Sequence, residues 1–257
     1  MARNNIPFIH NYCDRWCERC AFTDRCAVFE MNEDLTPEQE DPENSAFWDL
    51  IADRFAQTYK MLEEGAEQWG IVLEEPTEAS LAEFRKEEDA VEARVQETLL
   101  IKNARSYSDS VEILFNESSL WERKGKELAQ ATSLGIQSVE KGLSEVDLLA
   151  DCRHVLGWYQ HFIEVKFHRA LHGAFTDGDE ALDPQSDMNG TAKIALLAVE
   201  RSRLALTTLM QLVGEDDNIL NLLALLERIE KEGRSTFPGS GSFRRPGFDD
   251  ATAHQNF

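Results

Sequence analysis

TAKIALLAVERSRLALTTLMQLV, residues 191–213, carries Ile194, Leu196, Leu197, Val199, Leu204, Leu206, Leu209 and Leu212, which at helical periodicity leave hardly any polar face. A helix that is apolar nearly all round is usually the one most enclosed by its neighbours. The rest of the chain must therefore supply helices to cover it. Arg201 lies in the middle of this stretch, where an unpaired charge would be very costly. It needs a carboxylate or an anionic ligand, and Glu97 or Glu112 on a long preceding helix are the expected structural partners.

Outward from this stretch the pattern stays helical. Downstream, a helix runs from Asp216 or Asp217 to about Glu232 and should stop at Gly233. Upstream, the loop 176–187 contains Gly178 and Pro184 and closes a helix over about 144–175. Before that, helical periodicity spans about 77–131. At about 1.5 Å per residue this is too long for one straight helix in a small domain, so a bend is expected near Ser106, Tyr107 and Ser108. A further helix begins at Asn44 or Ser45, shows the stripe Phe47, Leu50, Ile51, Phe55, Tyr59 and Leu62, and ends near Gly70. No internal repeat, sustained heptad or convincing strand stands out. The expected fold is all-α, an antiparallel bundle of four to five helices over 44–233.

Residues 31–43 form an acidic connector with Pro37 and Pro42 and no Lys or Arg, which should be extended. Residues 234–257 are rich in Gly, Ser and Pro. This tail is read as disordered or as wrapping the bundle through Phe237, Phe243 and Phe248.

The N-terminal segment 1–30 is a unit of its own. Arg3, Arg15, Arg19 and Arg25 balance Asp14, Glu18, Asp24 and Glu30, and the segment holds Cys13, Cys17, Cys20 and Cys26. The spacing Cys-x3-Cys-x2-Cys-x5-Cys suits a soft metal in a thiolate cage. On a helix, Cys13, Cys17 and Cys20 would fall within about 60° of one another, with Cys26 returning through the turn Phe22-Thr23-Asp24. Structural zinc sites usually separate two short cysteine knuckles by a long stretch, whereas iron–sulfur segments grip one cluster with successive cysteines. The compact run thus favours a four-iron cluster over zinc. Arg15, Arg19 and Arg25 would either offset thiolate charge or pair with the neighbouring acids; Trp16 and Phe22 would anchor the segment or shield the centre.

Cys13-x3-Cys17-x2-Cys20 is also similar to the three-cysteine motif of radical S-adenosylmethionine enzymes. That resemblance implies a partial α/β barrel. This chain shows no alternation of strands and helices, and it offers Cys26 as a fourth ligand. Cys152 stands apart, in a stripe with Leu149, Leu156, Tyr159 and Ile163, as a small buried hydrophobe.

Four of the six histidines lie in DCRHVLGWYQHFIEVKFHRALHG, residues 151–173. On one continuous helix His154, His161, His168 and His172 share a stripe nearly opposite the main apolar face. They should face solvent or a second layer. Glu164, His168 and His172, at i, i+4 and i+8, form a candidate second metal site. Carboxylate-bridged di-iron bundles use Glu-x-x-His motifs, and none occurs here. Lys166 sits at the core edge of the same helix.

The 48 acidic residues against 26 basic ones leave a formal charge of -22, which argues against nucleic acid and anionic membranes as partners. The opening MARNNIPFIHNY lacks the charged and apolar regions of a secretory signal, so a cytoplasmic location is expected, with thiols reduced. The functional expectation is electron transfer or redox or oxygen sensing by an iron–sulfur protein, with a protein redox partner or self-association. The alternatives are a zinc-stapled adaptor and an oxidase using Glu164, His168 and His172.

Overall fold

The structure is a computed structural model that describes residues 4–73, 75–116, 119–176 and 183–249. All regular structure among these residues is helical, and no helix is long and apolar enough to cross a membrane. The chain divides into two compact units. One comprises Met1–His10 and Arg15–Glu88, the other Asn11–Asp14 and Asp89–Phe257.

The first unit opens with single 3-10 turns where a helix bearing three thiols was expected. Cys17–Arg19 and Thr23–Arg25 are closed by i to i+3 bonds, the Cys20 amide donating to the Cys17 carbonyl at 3.1 Å and that of Cys26 to Thr23 at 3.4 Å. Arg15 has φ 60°, which no right-handed helix accommodates. Cys13, Cys17 and Cys20 therefore do not share one helical face. The connector is likewise not all extended. After α1 (Ala27–Glu30) it forms α2 (Pro37–Glu40), because Thr36 and Gln39 make a reciprocal capping box with Pro37 in the first turn. Helix α3 (Ser45–Trp69) has the boundaries read from the sequence: the Asn44 side chain accepts the Ala46 amide at 3.0 Å, and Gly70 takes a left-handed φ of 67°. In its apolar stripe Phe47, Leu50 and Ile51 are half-buried, while Phe55, Tyr59 and Leu62 are exposed. Helix α4 (Glu78–Glu97) crosses the division between the units at Glu88 and Asp89.

The second unit contains α5 (Leu99–Asn116), α6 (Leu120–Ser133), α7 (Val139–Tyr159), α8 (Phe162–Thr176), α9 (Asp187–Val213) and α10 (Asp217–Thr236). The apolar stretch is the centre, as expected: α9 packs against α7, α8 and α10, while α5 packs on α10 and α8. Ile194, Ala198, Val199, Leu206 and Leu209 are buried.

The break expected at 106–108 lies elsewhere. Thr98 interrupts the helix instead, its hydroxyl donating to the Val95 carbonyl at 2.8 Å and accepting the Ile101 amide at 3.3 Å. Ser106 and Ser110 do not break α5, because each hydroxyl bonds back to the carbonyl one turn earlier. The helix expected over 144–175 is two helices, separated at Gln160 and His161. There the Gln160 amide donates to the Ser108 carbonyl at 3.0 Å, and His161 Nδ1 meets the Ser108 hydroxyl at 2.8 Å. The four-histidine stripe is accordingly split.

Gly233 does not end α10. A Cβ there would lie 2.8 Å from the Phe167 ring, so the glycine is a point of close approach. The tail's Phe237 and Phe243 are buried, and Phe248 is half-buried with Arg245 stacked 4.8 Å from its ring. Residues 177–182 of the loop expected at 176–187, and the tail beyond residue 249, lie outside the described residues.

Candidate metal centres

Cys13, Cys17, Cys20 and Cys26 all stand outside any disulfide, each half-buried. In the first unit Cys17 opens a 3-10 turn and Cys20 closes it. The Phe22 amide donates to Cys20 Sγ at 3.4 Å, a bond that stabilises a thiolate. Arg19 stacks 4.0 Å over the Trp16 ring. Arg25 donates through Nε to the Asn4 carbonyl at 3.4 Å, and its own carbonyl accepts the Ile6 amide at 2.9 Å.

Cys13 belongs to the second unit, in the short segment Asn11–Asp14. Two side chains of this segment hold it on the helices. The Tyr12 hydroxyl donates to Asp187 at 3.1 Å, and its ring lies 4.6 Å from that of Phe243. Both rings rest on Gly190, where a Cβ would come within 2.5 Å of each. Burial, reinforced by the Asp187 carboxylate, pushes the Tyr12 phenol up to about 12. Asp14 accepts the Tyr159 hydroxyl at 2.7 Å and pairs with Arg201, while its carbonyl accepts Trp158 Nε1 at 3.0 Å. Burial, and then the hydrogen bond to Asp14, raise the Tyr159 phenol. Cys13, Asp14, Ile194, Leu197, Arg201, Arg245 and Phe248 line one small recess.

Arg201 thus meets a carboxylate, as its position demanded, but the partner is Asp14 and not Glu97 or Glu112. Glu97 is paired with Lys102 instead. The charge balance of residues 1–30 pointed to local pairing of Asp14 and concealed this bond. Cys152 is buried, which carries its thiol up to about 11 with help from the Asp151 charge. Lys166 lies 5.3 Å from the Phe162 ring.

The second candidate set does not gather as i, i+4 and i+8 suggested. Glu164 accepts Arg105 Nη2 at 2.8 Å. His168 Nε2 instead meets Glu92 of α4 at 2.7 Å. His161 meets Ser108 at the helix break, and His154 is exposed on α7. The side of α8 bearing Glu164 and His168 therefore faces a second layer made by α4 and α5. Among the described residues no three His, Cys, Asp or Glu side chains already converge as a metal cage.

With both sets of residues placed, comparison with known proteins adds no relative: no family model, curated protein or solved structure matches the chain.

Proposed function

We propose that Cys13, Cys17, Cys20 and Cys26 ligate an iron–sulfur cluster, most simply a four-iron one, and that the protein transfers electrons or senses redox state or oxygen. The observation that carries this reading is four thiols within fourteen residues, none of them in a disulfide. Thiolates are the ligands such clusters require, and successive cysteines in one short run are how a chain grips a single cluster. The amide hydrogen bond to Cys20 Sγ supports the same reading, since hydrogen bonds to ligand sulfur stabilise the reduced cluster and raise its potential. In this role Asp14 is a positioning residue. It holds the backbone next to Cys13 on Tyr159 and Arg201, limiting the freedom of one ligand before any metal arrives.

The test is purification without oxygen, followed by an absorption spectrum and analysis for iron, sulfide and zinc. A brown protein absorbing near about 400 nm, with iron and inorganic sulfide in equal amounts, is the expected result. A colourless protein holding one zinc ion would overturn the redox reading and favour the zinc staple. Cysteine substitution would then mainly cost stability, because zinc binding and local folding are linked.

A further inference from the structure

Helix α3 carries apolar side chains on more than one side, and the fold covers only part of them. Phe47 and Leu50 are half-buried, and α3 packs on α2. Trp48, Phe55, Tyr59, Leu62 and Trp69 fall within about 80° of one another at helical periodicity. Each of the five is between 60% and 76% exposed. They form one strip about 30 Å long. At about 150–250 Å2 per aromatic side chain the strip presents roughly 600 Å2 to water, an apolar surface of the size that marks an interaction site. It falls short of the roughly 800 Å2 per partner of a standard stable complex, so whatever docks on it does so reversibly.

The spacing within the strip selects the occupant. Trp48, Phe55, Leu62 and Trp69 recur every seven residues, and Ala52 and Tyr59 lie between them, giving the alternating steps of three and four by which one helix seats on another. The run is shorter than the about three to four heptads that an independent coiled coil needs. Helix α3 is formed without a partner, capped by Asn44 and Gly70, and Trp48 is fixed in place by Nε1 donating to the Pro42 carbonyl at 2.9 Å. Two such strips complement each other when they run antiparallel. Ala52 of one copy then lies opposite Leu62 of the other, and Phe55 opposite Tyr59, small against large and ring against ring, with each layer occurring twice. In a parallel pair every residue would meet itself: Ala52 against Ala52 would leave a gap, and Trp48 against Trp48 would crowd.

We infer that α3 is a homodimerisation helix, and that two copies of the chain associate by antiparallel pairing of the strip from Trp48 to Trp69. One flank of the strip is uncharged, at Ile51 and Thr58. On the other flank Asp49 and Glu63 are exposed, and the antiparallel alignment sets Asp49 of each copy opposite Glu63 of the other. Like charges on an exposed helix flank weaken association only about two-fold per pair. Burial of the rings and of Leu62 outweighs that by orders of magnitude. Packing therefore fixes the orientation, and the two acidic pairs set how weak the dimer is. The strip shares no residue with the cysteine segment, and the inference stands without the iron–sulfur reading.

The test is sedimentation velocity of the full-length chain over about 1–200 μM, reduced and without oxygen so that no disulfide joins the copies. The expected result is a reversible monomer–dimer equilibrium with a dissociation constant of micromolar order, tightened by added sodium chloride. Phe55→Glu and Leu62→Glu should each weaken it about 100-fold or more. Both side chains are exposed, so circular dichroism of these variants should match the parent. Asp49→Lys turns both flank pairs attractive and should tighten the dimer about 10-fold. Asp49→Lys combined with Glu63→Lys sets lysine against lysine and should cancel that gain. Glu64→Lys makes the same change in net charge on the opposite side of the helix and should alter the equilibrium little. A chain that stays monomeric over the whole range overturns the inference, and if it binds a Leu/Lys amphipathic peptide instead, the strip belongs to a basic partner. A dimer that survives Phe55→Glu and Leu62→Glu overturns it as well. So does a gain from Asp49→Lys no larger than that from Glu64→Lys.

Discussion

Asp14 and Gly190 show how much of this protein rests on single side chains that no sequence motif marks. Asp14 ties the short stretch Asn11–Asp14 to α7 and α9 through Tyr159 and Arg201. Removing it takes the carboxylate from the Tyr159 hydroxyl and from Arg201, whose half-exposed guanidinium keeps Tyr159 and water, a loss of about 1 kcal/mol. Asp14→Ala should therefore lower the stability of the second unit by about that amount in urea unfolding. Tyr159→Phe in the Asp14→Ala background should add little, since the two share one interaction. Gly190 is a site of contact. A methyl group there meets Tyr12 and Phe243 at once, and Gly190→Ala should cost about 1–3 kcal/mol by overpacking. Gly125 of α6 has nothing within 4 Å of its Cβ position. Gly125→Ala should leave stability unchanged or raise it by up to about 1 kcal/mol. Thermal melts of the two variants side by side distinguish crowding from helix propensity. Neither Asp14 nor Gly190 could be singled out from the chain alone, because Tyr159, Arg201 and Tyr12 are remote from them in sequence and spacing rules act only locally.

The helices divide into those whose ends are set by local chemistry and those set by packing. Both ends of α3 were legible because Asn44 caps one and Gly70 the other. The start of α10 was legible because Asp216 accepts the amides of Asn218 and Ile219. The breaks at Thr98 and Gln160 were not, since neither position carries Gly or Pro. Thr98 works through a hydroxyl that bonds on both sides, and the break at Gln160 is met by contacts with Ser108. Thr98→Ala should cost about 1 kcal/mol and expose the α4–α5 junction to faster amide exchange. The unforeseen break split the histidine stripe, and on α8 itself spacing paired His168 with Glu164, four residues away, where the fold brings Glu92 of another helix. A periodic pattern shows which residues share a face, but it does not reveal what they meet. The α3 stripe makes the same point, being apolar throughout by sequence yet exposed at Phe55, Tyr59 and Leu62 in the fold.

Over the chain as a whole, charge sets the response to solution conditions. A formal charge of -22 loads the folded protein with self-repulsion, which salt screens. Added sodium chloride should raise the midpoint of urea unfolding, even though individual ion pairs weaken. Acid acts in the opposite direction through paired carboxylates. Burial alone would raise Asp249, but hydrogen bonds from Arg245 and Lys193 outweigh it and hold the carboxyl well below 3.8. The group is ionised in the fold at pH values where the unfolded chain has already taken up a proton. Its stabilising contribution is therefore complete above about pH 4 and is lost as pH falls further. Asp249→Asn should reduce stability at pH 7 by about 1–3 kcal/mol and flatten the decline below pH 4 in an acid-unfolding series. The composition made the salt response legible from the start. The acid response required the fold, because Asp249 lies in a tail that the sequence left open between disorder and wrapping over the bundle.

The order in which the chain visits its two units carries one more consequence. Asn11–Asp14 and Asp89 onward belong to the same unit, so the first unit enters the chain largely as an insertion between them. Loops closed at both ends by a stable body tolerate changes in their length, since the entropy of closure grows only with the logarithm of the number of residues. A protease nick anywhere between residues 15 and 88 would sever the backbone and still leave the N-terminal fragment clasped to α7 and α9 by Tyr12 and Asp14. The nicked protein should migrate as one particle on a native gel and as two on a denaturing one, and Asp14→Ala combined with Tyr12→Ala should let the halves drift apart.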